Sequence, residues 1–138
     1  MAALLVALAL VFPHGTATIT TPHARVVLHV EIADNDARRE RGLMFRRRLA
    51  PRAGMAFVWR DDVDGGFWMK NTLIPLSIAF YDAGGRIVRI LDMTPCHADP
   101  CQIYDPGAPY RGAVEVNRGS FRRWRVHVGD RIVVRRSR

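Results

Sequence analysis

A chain of 138 residues has room for one hydrophobic core and not comfortably for two, which excludes a large multidomain enzyme. An apolar fraction of 49% beside 25% charged residues, with no low-complexity tract, excludes a disordered or fibrous chain. The net charge of +8 favours anionic partners, but the cations are all arginine except Lys70. They cluster at Arg46-Arg47-Arg48, Arg122-Arg123-Trp124-Arg125 and Arg135-Arg136-Ser137-Arg138, short runs far apart and without a zinc-finger or RNP signature. Nucleic acid is therefore not the expected partner. Solvated surface is the plain reading, and an anionic envelope surface is the alternative.

Residues Met1 to Phe12 are almost wholly apolar, too short for a bilayer-spanning helix, which needs about 20 residues. The run has the length of a signal-peptide core, and Gly15-Thr16-Ala17 offers the small residues a signal peptidase favours, although no basic residue precedes it. Residues 1–24 are thus expected to be an export signal or an uncleaved membrane tether, and residues 25–138 a single β-rich domain, monomeric and in the cell envelope or outside the cell.

From Arg25 onward the dominant period is two. Val26, Leu28, Val30 and Ile32 alternate with polar His29 and Glu31, the pattern of a half-buried strand. Asp34 and Asn35 end it and can cap a short helix that runs to Arg41 and stops at Gly42. A second strand is expected over 55–59 and a third over 67–71. Leu76–Tyr81 and Arg86–Leu91 flank Asp82-Ala83-Gly84-Gly85 and predict a hairpin. A Pro-rich connection covers 94–109, followed by a strand at 113–116, a short helix from Ser120 and a last strand near 131–135. Many short strands punctuated by Gly and Pro predict a mostly β, single compact sandwich or barrel-like domain with one or two short helices.

The two cysteines lie in Cys96-His97-Ala98-Asp99-Pro100-Cys101, and in an oxidising compartment such a pair is most simply a disulfide. Closing so short a loop restricts the unfolded chain by ~2 kcal/mol, which makes it a local clip. A metal reading with His97 lacks a fourth ligand nearby. His14, His23, His29, His97 and His127 show no ligand spacing, neither Ser77 nor Ser120 sits in a triad-type motif, and Met44, Met55, Met69 and Met93 are spread as core filling rather than as a thioether copper site. No cofactor is expected.

The most unusual stretch is Phe67-Trp68-Met69-Lys70-Asn71-Thr72-Leu73-Ile74-Pro75-Leu76. Together with Arg41-Gly42-Leu43-Met44-Phe45-Arg46, Gly54-Met55, Gly85-Arg86-Ile87-Val88 and Met93-Thr94-Pro95 it is similar to the successive motifs of domain-of-unknown-function family 192, also called uncharacterised protein family 0127, from about Val26 to Val134. The resemblance implies a single mostly β domain, often behind an export signal or membrane anchor in bacteria and archaea, with no established activity. Ser77 departs from it, standing where such sequences usually carry Asp.

In an extended segment Trp68 and Lys70 share one face and Phe67, Met69 and Asn71 the other, which sets an indole beside an ammonium roughly 6 to 7 Å along the chain. On a functional reading Trp68 stacks on the ring of an envelope glycan or small polar molecule while Lys70, Asn71 and Thr72 bond its polar edge. On a structural one Trp68 is core, Lys70 pairs with a carboxylate, and Asn71 and Thr72 hold a turn. Asp92 and Glu115 are the candidate partners of Lys70, and either pair would also serve an enzyme as acid and base. Trp59 continues the Met55 and Phe57 alternation as core. Tyr104 and Tyr110, past the cysteine clip, are candidates for a groove edge.

Overall fold

The computed structural model describes residues 10–138, so most of the apolar run at the start of the chain, residues 1–9, lies outside the described residues. The elements in chain order are β1 (His14–Thr20), β2 (Arg25–Ala33), α1 (Asp36–Arg41), β3 (Ala53–Val63), β4 (Leu76–Tyr81), β5 (Ile87–Met93), β6 (Tyr110–Asn117), α2 (Ser120–Arg123) and β7 (Arg131–Arg136). The strands form one curled sheet in the order β5-β4-β6-β3-β2-β1-β7. Only β2 and β3 run parallel, and α1 lies in the connection between them. No helix among the described residues is long and apolar enough to cross a membrane.

The mostly β class, the two short helices and the 82–85 hairpin agree with the alternation in the sequence. Two expectations change. The sheet includes residues from His14, because β1 pairs with both β2 and β7 and buries Ala17 and Ile19 completely, and Phe12 just before it is already part of a core. The 25–138 boundary therefore cuts off a strand, and a cleavage at Gly15-Thr16-Ala17 would break it. The small residues that resemble a cleavage site are instead what a crowded strand tolerates. The second change is at 67–71, an extended segment held by isolated bridges from Phe67 to Tyr104 and from Lys70 to Cys96, and no member of the sheet. Alternation alone does not distinguish a paired strand from an extended loop.

The sheet carries two cores. Its concave face gathers Leu28, Val30, Ile87, Val114 and Phe121 among others. Its other face, over β3, β6 and β4, gathers Met55, Phe57, Ile78 and Phe80 and is covered by chain from the β3–β4 and β5–β6 connections, including Met69, Met93 and Tyr104. The strands β3, β6 and β4 are thus buried on both sides, which requires near-continuous apolar runs, and all six residues of β4 are buried. At one end the sheet edges approach each other: Ile87 N–H donates to Asp130 C=O at 2.8 Å and Ile132 N–H to Gly85 C=O at 2.7 Å. Gly85 permits this contact because its φ is +81° and a Cβ there would meet the carbonyl of Ile132.

Gly112 serves the concave core in the same way. A Cβ there would run into the ring and hydroxyl of buried Tyr81. Gly112→Ala is expected to destabilise the domain by about 1–3 kcal/mol through overpacking, read as a lower urea midpoint. An unchanged midpoint would mean that Tyr81 has room to move.

Candidate functional site

Strand β6 positions the central group of the site. Val114 and Val116 point into the concave core, so alternation sends Ala113 and Glu115 to the opposite face. Glu115 lies in register between Met55 of β3 and Ile78 of β4, both fully buried. It is itself only 4% exposed. Neither a hydrogen bond nor an ion pair to its carboxyl is found among the described residues, and burial alone pushes the carboxyl up to about 8. Its remaining access is to a cleft of about 340 Å³.

One side of the cleft is α1 and the turn after it. Asn35 caps α1 by accepting from Arg38 N–H at 2.9 Å, and Gly42 ends it with φ 48°. The turn is pinned to β2 by Arg46, whose guanidinium binds both oxygens of Glu31 at 2.7 and 2.8 Å and holds that carboxyl below its ordinary range. The other side is aromatic and packed edge to face: Phe67 lies 4.8 Å from Phe57 and 6.2 Å from Trp59, and Trp59 lies 5.6 Å from Tyr110. Arg39 at the rim is occupied, donating to Val58 C=O and to Asp36, each at 2.8 Å, with its guanidinium 5.2 Å from the Trp59 ring centre.

Trp68 lines the cleft and is 44% exposed, so it is not core. Its indole is backed by the ammonium of Lys70, 5.3 Å from the ring centre. Lys70 pairs with Asp99 at 3.4 Å and with neither Asp92 nor Glu115, which corrects both expected partners and removes the acid–base pair they would have made. Asp99 lies inside the loop closed by the Cys96–Cys101 disulfide, and Cys96 N–H donates to Met69 C=O at 3.3 Å. The clip thus fixes Lys70, and Lys70 backs Trp68.

The other expected residues divide. Thr72 is buried, lines the cleft and donates from its hydroxyl to Lys70 C=O at 3.3 Å. Asn71 turns the chain with φ 56°, and its C=O accepts from Phe45 N–H at 2.8 Å. Tyr104 does not line this cleft, whereas Tyr110 does: Tyr104 is 9% exposed, borders a separate pocket beside the clip, and its hydroxyl accepts from Thr94 N–H at 3.1 Å. Asp92 belongs to the other side of the sheet. Ser77, paired in register with Val116, donates to Asp92 at 2.6 Å and accepts from Gly119 N–H at 3.0 Å. The Ser77 hydroxyl, helped by Arg122 at 3.3 Å, holds the Asp92 carboxyl below its ordinary range. Sequence reasoning missed Trp59 and Phe67 as walls. The available signal was that Trp59 shares the face of Met55, the in-register neighbour of Glu115.

The raised Glu115 carboxyl binds its proton more tightly in the folded state than in the unfolded chain, where its ordinary value is 4.5. Its stabilising contribution is complete below that value and is lost as the pH rises toward about 8. The lowered carboxyls of Glu31 and Asp92 act in the acid range and in the opposite sense. Between about pH 5.5 and about pH 8.5 the melting temperature should fall with pH, and Glu115→Gln should flatten that fall. Parallel profiles for the two proteins would contradict the assignment.

The comparisons with known proteins agree with the fold. The model of the DUF192 family, described as "Uncharacterized ACR", matches residues 17–134. A crystal structure from Sinorhizobium meliloti 1021, named provisionally as a transcription regulator, is similar over 91% of this chain and 97% of its own, at 32% identity and TM-score 0.84. A protein of unknown function from Novosphingobium aromaticivorans DSM 12444 is similar over 86% of this chain and 83% of its own, at 30% identity and TM-score 0.79. A search of curated proteins finds no match. With the family's motifs spread from the end of α1 to the clip, and its model spanning the sheet from β1 to β7, the chain belongs to the DUF192 family.

Proposed function

We propose that this chain is an exported binding domain that receives a small polar ligand, or one ring of an envelope glycan, in the cleft beneath Trp68. The observation that carries the reading is the pairing of an exposed, braced indole with a carboxyl at the cleft floor that has no partner among the described residues. A carboxyl in apolar surroundings that opens only to the cleft is available to a ligand that brings it a hydrogen-bond donor. An aromatic face at the mouth supplies apolar contact to the same ligand. The apolar run at residues 2–11 and the Cys96–Cys101 disulfide support an oxidising, extracytoplasmic location.

Trp68 should contribute to binding and little to folding, because nearly half of it faces solvent. In a thermal-shift screen of cell-wall saccharides, a ligand that binds the folded state raises the melting point. That rise should be lost in Trp68→Ala while the melting point of the free variant stays within about 2 °C of the parent. A variant that melts far lower and still binds would return Trp68 to a structural role.

A further inference from the structure

We infer that the ligand of this cleft is an amine: an alkyl- or arylammonium group whose cation sits on the Glu115 carboxyl against the aromatic wall. The inference rests on the binding role proposed above and names the chemistry of its ligand.

Three features carry it. No hydrogen bond to the Glu115 carboxyl is found among the described residues and its oxygens are not sealed from the cleft, so a ligand there can reach it with a donor, and an ammonium brings several together with the opposite charge. The second feature is the charge of the lining. The protein carries a net +8, yet Glu40, Asp64 and Glu115 all line this cleft and none of them joins an ion pair among the described residues. Of the two lining cations, Arg39 is engaged by Asp36, and Arg41 lies over the Phe45 ring at 5.0 Å. With Arg39 already paired, a cation would meet the free carboxylates of Glu40 and Asp64 and, once it ionises on docking, that of Glu115, whereas an anion would have Arg41 alone to pair with. The third is the wall itself: Trp59, Phe67 and Tyr110 offer aromatic surface beside the carboxyl, and rings of this kind attract a cation desolvated among them.

The proton balance follows from the same contact. Free Glu115 holds a proton near neutral pH. When an ammonium docks, the carboxyl ionises, its proton passes to the buffer, and a carboxylate–ammonium pair remains. The titratable groups around it in the cleft are Glu40 and Arg41 from α1, Arg39 from the same helix, Asp64 after β3, and Tyr110 of β6, whose hydroxyl burial pushes up to about 12.

The test is isothermal titration of the full disulfide-bonded chain with benzylamine, benzyl alcohol, benzoate and the neutral disaccharide chitobiose at neutral pH, in two buffers of different ionisation enthalpy. Benzylamine should bind at least about tenfold more tightly than benzyl alcohol, with protons released to the buffer, and benzoate should not bind. Glu115→Gln should abolish the preference and the proton release. Asp64→Asn, a change at an exposed position, should weaken benzylamine several-fold and serves as the second variant if the buried substitution impairs folding. Equal affinity for benzylamine and benzyl alcohol, or chitobiose binding without amine binding, would overturn the amine and leave the cleft as a binding site. A preference that survives in Glu115→Gln would overturn the role of Glu115. Failure of every probe would overturn both the amine and the binding role.

Discussion

Strand β6 runs between β3 and β4 with both of its faces covered, and every position along it must be apolar or satisfied. Ala113, Val114 and Val116 meet that condition by being apolar, and Glu115 only through the opening of its carboxyl to the cleft. A carboxyl so placed keeps its proton, because ionising it between Met55 and Ile78 would put an unpaired charge in the core. The surrounding fold is arranged to leave it one opening. Sheet curl, the turn after α1 and the β3–β4 connection all end at the same cleft.

Around that opening the local chemistry forms a chain of supports. The disulfide closes the 96–101 loop, Asp99 in the loop holds Lys70, and Lys70 backs the Trp68 ring. An exposed lysine–aspartate pair contributes little stability by itself. Its effect here is orientational, since an indole with fewer free rotamers loses less entropy when a ligand stacks on it. On the opposite side Arg46 does comparable work with Glu31, fixing the turn that closes the cleft against β2.

The sheet was legible from two patterns, alternation in β2 and an almost unbroken apolar run in β4. Val26 to Ile32 and Leu76 to Tyr81 announce themselves by period and by length, and the hairpin between β4 and β5 by its glycines. β1 was not, because Thr16, Thr18 and Thr20 alternate with Gly15, Ala17 and Ile19 directly after an apolar run, so leader and strand merge in composition. The site was half legible. Trp68 stands out as the aromatic beside the lone lysine of an unusual motif, and Glu115 as an acid between two valines. Pairing Lys70 with Asp99 needed three-dimensional knowledge, because a loop contact carries no period. Asp92 and Glu115 look alike in sequence, each an acid in or after an apolar run, and only strand register places them on opposite faces.

The protonation of the buried acid is the point from which the cleft, its charge and its ligand follow. Direct titration of the Glu115 carboxyl carbon by NMR, in the folded protein, measures it. A midpoint near 8 is expected from burial without a partner. A midpoint near the ordinary 4.5 would mean that water or a hydrogen-bond donor already serves the carboxyl, and would contradict a site that waits for its donor.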